Sequence, residues 1–171
     1  MRETKQTETQ SVYSHGLSVW SYTEKILAKD WEGLRIPTWL SDNSEQILAE
    51  IHDKETIREY NVFHDCGKPF CLVEENGKRH FPDHARISKE TWISIEGEGD
   101  VANLIGWDMV FHTETAEQII NRNFNRKDAL TLLITAVAEL HSNAEMFGGI
   151  ESDSFKIKWK KIDKRGRMFF R

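Results

Sequence analysis

From Ser11 to Met146 the apolar residues recur at the three- to four-residue spacing of helices, and Asn76-Gly77 breaks that rhythm. Val12, Val19, Ile26 and Leu27 predict a first helix over 11–29. Pro37 suits the first turn of a second, with Trp39, Leu40, Ile47, Leu48 and Ile51 on its apolar side. Asp53 is placed to cap a third, which carries Ile57, Tyr60 and Phe63. Helix resumes after Pro82 through Trp92 and Ile95, and Gly97 and Gly99 stop it. Further helices are predicted over 101–112, 115–121 and 128–146, the last ended by Gly148-Gly149.

Two segments read differently. Phe70-Cys71-Leu72-Val73 and Lys78-Arg79-His80-Phe81 flank Glu74-Glu75-Asn76-Gly77, and Asn-Gly between two short runs predicts a β-hairpin. In the tail, Phe155, Ile157 and Trp159 alternate with Lys156, Lys158 and Lys160. A period of two predicts a strand, with a turn over 163–166 and a return strand after it. The fold class is therefore mainly α, with a small inserted hairpin and a β-like C-terminal tail. At 171 residues a single domain over 11–171 is expected, and the polar residues 1–10 are expected to fray.

Charge is unevenly spread. Residues 154–171 carry eight Lys/Arg against one Asp, whereas the other 153 residues carry 15 Lys/Arg against 27 Asp/Glu. The basic tail reads either as an edge strand protected by lysines or as a surface for nucleotide or RNA phosphates. Lys156 and Lys158 are the candidate contacts in the second reading. At −5 overall, a general grip on duplex DNA is not expected. The longest uncharged apolar run, Ala129 to Ala138, is too short to cross a bilayer. A polar N-terminus and two cysteines without a CxxC spacing point to a reducing, cytoplasmic setting.

Chemistry concentrates in Phe63-His64-Asp65-Cys66-Gly67-Lys68-Pro69. An imidazole and a carboxylate adjacent in sequence can bind one divalent ion. Gly67 would let the chain turn tightly, and Lys68 would then present a point charge suited to a phosphate oxygen. His80 and His84 stand four apart across a helix start, a spacing that can aim two imidazoles at one ion or leave one at the surface. His15 lies on the first helix. Asp108 sits among Leu104, Ile105, Trp107 and Val110, where a carboxylate needs a partner; a metal would be one, and an exposed stripe would remove the need. His112 follows four residues later and could orient Asp108 or meet a leaving group. Cys66 reads as a packing residue.

The ordered set His15, His64-Asp65, Asp108 resembles the HD-domain metal-dependent phosphohydrolase superfamily. The stretch from His64 through the Asn-Gly turn to His80-Phe81-Pro82-Asp83-His84 is similar to the HD domains of bacterial tRNA nucleotidyltransferases and of polynucleotide-kinase fusions. The resemblance spans roughly residues 12–147 and implies an HD-like helical bundle. It implies His15, His64, Asp65 and Asp108 as metal ligands, with His80 and His84 joining at a second ion bridged by Asp65. Lys68 would hold the substrate phosphate. The cofactor would be one or two divalent ions drawn from Mn, Co, Ni, Fe, Zn or Mg.

The expected activity is metal-dependent hydrolysis of phosphoester ends of RNA or of nucleotides, of the 2′,3′-cyclic phosphodiesterase or 2′/3′-phosphatase type. A divalent ion lowers the pKa of water towards ~7, so no serine or cysteine nucleophile is required. Two alternatives remain open: a nucleotidase or phosphodiesterase for free or signalling nucleotides, and a non-catalytic nucleotide- or RNA-binding module with a structural metal.

Overall fold

A computed structural model describes residues 1–170, the side chain of Ala116 excepted. Ten α-helices are described: α1 (Val12–Leu27), α2 (Thr38–Asp42), α3 (Ser44–Glu50), α4 (Lys54–Phe63), α5 (His84–Glu96), α6 (Asp100–Trp107), α7 (Val110–Thr113), α8 (Ala116–Asn121), α9 (Arg126–Ser142) and α10 (Asp153–Gly166). Strands β1 (Val73–Glu75) and β2 (Lys78–His80) lie between α4 and α5. The fold is mainly α with an inserted hairpin, as the periodicity predicts. No described helix is long and apolar enough to cross a membrane. By internal contacts the chain forms two compact units, one of Met1–Trp20 with Asp53–Asp108, the other of Ser21–His52 with the chain from Met109 on.

In the first unit, residues 1–10 are tied down rather than frayed. The N–H groups of Gln6 and Thr7 donate to the Gln10 carbonyl, Val12 N–H donates to Thr4, and Lys5 bridges to Ser11. Within α1, Val12, His15 and Val19 form one buried stripe. Asp53 caps α4 as expected, its carboxylate accepting from the N–H groups of Glu55 and Thr56. The hairpin pairs Val73 with His80, Glu74 with Arg79 and Glu75 with Lys78. Asn76 and Gly77 both take positive φ, 51° and 71°, as the tight turn that matches strand twist requires. Opposed charges sit across the ladder, and Arg79 pairs with Glu74 at 3.2 Å.

In the second unit, α9 is buried on nearly every face, from Asp128 to His141 apart from Glu139. Its N-terminus is capped by Asn125. Asp128 Oδ1 lies 2.6 Å from His52 Nε2, and both side chains are buried.

The tail is the main correction. Residues 153–166 are helical, not extended. Ser152 caps α10 by accepting from Phe155 N–H. Phe155, Ile162 and Gly166 are buried, at offsets of seven and four, while Ile157 is 57% exposed. The Phe-Lys-Ile-Lys-Trp-Lys alternation satisfies a period of two for six residues only. Packing follows the longer 3.6-residue period. A Cβ on Gly166 would lie 2.2 Å from Trp39 Cε2, so only glycine admits that ring against the helix. Trp159 Nε1 donates to the Arg35 carbonyl at 2.9 Å. Arg171 lies outside the described residues. The second predicted helix is also split, into α2 and α3 about Asn43, and the stretch over 101–112 is split into α6 and α7 at Asp108 and Met109.

His141 gives the second unit a pH dependence. Its Nδ1–H donates to the Val137 carbonyl at 2.8 Å, and its Nε2 accepts from Arg35 N–H at 2.9 Å. Accepting that bond requires the neutral ring, and burial lowers the pKa below its ordinary 6.5. The unfolded chain therefore binds the proton more readily, and stability falls as pH drops below 6.5, by at most ~1.4 kcal/mol per pH unit from this group. Thermal melts at pH 7.5 and 5.5 should show a smaller loss of Tm in His141→Gln than in the wild type.

Candidate metal centre

The His64-Asp65 doublet follows directly on the end of α4. His64 is 2% exposed and Asp65 2%. The turn after it is held by Cys66 N–H to Phe63 and Lys68 N–H to Asp65, then by a short 3-10 turn over Lys68–Phe70. Gly67 has an ordinary φ of −81°, so tight turning is not what calls for glycine here. The reason is close approach. A Cβ at Gly67 would sit 2.3 Å from the Ser88 nitrogen and 2.6 Å from the Ile87 carbonyl carbon. Gly67 N–H also donates to Ser88 Oγ at 2.9 Å. On the other side, a Cβ at Gly16 would sit 2.3 Å from the Val62 carbonyl oxygen. That contact seats α1 on α4 and sets His15, one residue earlier, beside the doublet.

His15, His64 and Asp65 form a buried group whose ligand atoms lie within 4.8 Å of one another. His15 Nε2 and His64 Nε2 stand 4.0 and 3.2 Å from Asp65 Oδ2. His84 Nε2 stands 3.7 Å from the other oxygen, Oδ1. The rings of His64 and His84 are oriented alike. Each sets its Nδ1 on a backbone carbonyl, His64 on Asn61 at 2.7 Å and His84 on Phe81 at 3.0 Å. A carbonyl only accepts, so each Nδ1 carries a proton and each Nε2 is left as the ligating nitrogen. His64 Nε2 then faces Asp65 Oδ2 at 3.2 Å, a spacing at which both atoms could ligate one cation. Oδ1 accepts no hydrogen bond from any described residue.

Lys68 is buried, and its ammonium donates to Asp65 Oδ2 at 2.6 Å and to Gln6 Oε1 at 2.9 Å. It also lies 5.2 Å from the centre of the Phe81 ring. Burial alone would push the Asp65 carboxyl up. The charges of His64 and Lys68, with that of His15 behind them, outweigh burial and hold it well below the ordinary carboxylate range. Burial and then the Asp65 charge push the Cys66 thiol up to about 11, which suits a packing residue.

Asp108, His80 and His112 are not among the ligand atoms grouped within 4.8 Å of one another. Asp108, 5% exposed, closes α6, and its Oδ1 accepts from the Tyr60 hydroxyl at 2.7 Å. Tyr60 is thus a partner for that buried carboxylate, where the sequence offered a metal or solvent. His80 is exposed on β2. His112, Lys156 and Lys158 belong to the second unit. His112 Nε2 lies 2.8 Å from Glu139 Oε2, and Lys156 pairs with Glu151 at 3.0 Å. His141, also in the second unit, is committed to Arg35 and Val137.

Gln6, Ser88 and the Asn61 carbonyl are contributors that sequence reasoning misses. Asn61 had a readable signal, lying one turn before His64 on a predicted helix. Gln6 and Ser88 had none, being 62 and 21 residues from the groups they bond. The chain matches no family model, no curated protein and no solved structure.

The Gly67 contact is directly testable. Gly67→Ala must move backbone rather than a flexible side chain, at a cost of ~1–3 kcal/mol. Thermal melts should show a lowered Tm, and metal titration should show weaker uptake because the 64–68 turn is displaced.

Proposed function

We propose that this chain is a metal-dependent phosphohydrolase of the HD-domain type, acting on phosphoester ends of RNA or on nucleotides. One observation carries the reading. A single buried carboxylate, Asp65, is faced by the Nε2 atoms of three histidines and paired with a buried lysine. Residues His15, His64 and Asp65 would hold a divalent ion, with His84 placed for a second on Oδ1. Two or three nitrogen donors with one carboxylate suit Mn, Fe, Co, Ni or Zn better than Mg. The ion would supply Lewis acidity and an acidified water at neutral pH.

The chain's own residues account for the rest. Asp65 stays ionised across the working pH range, so it is always available as a ligand. The ammonium of Lys68 is fixed beside it and would take a substrate phosphate oxygen where it now meets Gln6. Nucleophilic catalysis by Cys66 is disfavoured, since its thiol stays protonated at neutral pH.

The test is metal analysis joined to an activity panel of 2′,3′-cyclic nucleotides, 2′- and 3′-mononucleotides and an aryl phosphodiester. Asp65→Asn is expected to lose metal affinity at least ~100-fold and to abolish turnover; because it also leaves the buried Lys68 ammonium without its partner, a lowered Tm is expected, and both assays are run below it. Lys68→Ala is expected to lower kcat by ~100-fold or more while metal binding changes little. Hydrolysis that survives intact in Asp65→Asn would reject the reading. Metal binding with no turnover on any substrate would favour a binding module with a structural ion.

A further inference from the structure

In the second unit, α10 turns Lys158, Lys161 and Arg165 onto one face, at offsets of three and four. These three cations line a cavity of about 220 Å³, closed on its other side by His112 of α7, by Glu139 of α9 and by Asn143, which caps the C-terminus of α9. The charge is unbalanced, three cations against one carboxylate. Arg165 spends its N–H groups on the backbone carbonyls of Phe111 and Glu114, so its charge is fixed in place without a carboxylate among those bonds. Lys158 lies 4.8 Å from the centre of the Phe147 ring, which forms part of an apolar wall. Glu139 Oε2 lies 2.8 Å from His112 Nε2, and Asn143 Oδ1 is buried with no hydrogen-bond partner among the described residues.

The geometry points to a binding site for a small sugar phosphate, with the phosphate held by Lys158 and Lys161 and the sugar hydroxyls by Glu139 and Asn143. Size and polarity both select this class. The cavity is smaller than the ~300–1,000 Å³ of pockets for drug-sized ligands, which suits one ring and one phosphate rather than a whole nucleotide. A bare inorganic anion would gain from the lysines but would be repelled by Glu139. A ligand with hydroxyls at one end and a phosphate at the other satisfies both ends. The inference is independent of the metal trio, because every residue in it belongs to the second unit.

Titration of the full chain with ribose 5-phosphate, inorganic phosphate and ribose tests it, followed by calorimetry and by the ring resonances of His112. Ribose 5-phosphate is expected to bind at least tenfold more tightly than either other probe and to shift His112. Lys158→Ala with Lys161→Ala, both at exposed positions and therefore compatible with folding, should weaken it at least tenfold. Glu139→Gln should weaken ribose 5-phosphate but not inorganic phosphate. Asp65→Asn should leave the affinity unchanged. Equal binding of phosphate and ribose 5-phosphate would overturn the proposal, as would an unmoved His112 or an unaffected double variant. Loss of binding in Asp65→Asn would place the ligand at the trio instead and would overturn it equally.

Discussion

An ionised carboxylate at 2% exposure must be compensated where it lies, and Asp65 organises the first unit around that need. Taking such a charge out of water costs several kcal/mol, and a good contact must repay it. The Lys68 ammonium at 2.6 Å is one such contact, supplied by the same turn three residues on. The imidazoles of His15, His64 and His84 add polarity on both oxygens. A lysine alone would neutralise the charge. Three ring nitrogens aimed at one carboxylate go beyond that need, and this excess makes a group that could hold a metal ion rather than a plain buried ion pair.

Bringing those groups together depends on two backbones that nearly touch their neighbours. Gly16 lets α1 approach the Val62 carbonyl, and Gly67 lets the turn after α4 approach Ser88 at the start of α5. Any side chain at either position would push apart the elements that carry His15, His64 and His84. The glycine of the His-Asp-Cys-Gly-Lys-Pro string therefore acts through packing, while the glycine of the hairpin acts through its positive φ. Two glycines can look alike in a sequence; what differs is whether space or dihedral angle excludes a Cβ.

Much of this was legible beforehand because the signals were local. The Asn76-Gly77 turn, the Asp53 cap and the stripes of α1 and α4 each depend on residues within one or two turns of each other. The doublet and Lys68 could be named for the same reason. What was not legible depends on partners distant in sequence. Asp108 found Tyr60 across 48 residues, and Lys68 found Gln6 across 62. His52 found Asp128 across 76.

The tail fails for a different reason, and the failure changes which cations belong together. A short alternation of lysine with apolar residues fits either period, and a strand would have put Lys156, Lys158 and Lys160 on one face. The Ser152 cap and the Phe155, Ile162, Gly166 spacing decide for helix. On a helix Lys156 turns to Glu151 and Arg167 to Asp163, both ordinary ion pairs. Lys158, Lys161 and Arg165 turn instead to the cavity beside His112 and Glu139. The basic character of the tail is thus not one surface. Helical period divides it into charges that are answered nearby and a trio that faces a single carboxylate, and it is that local imbalance, rather than the count of lysines, that argues for an anionic ligand.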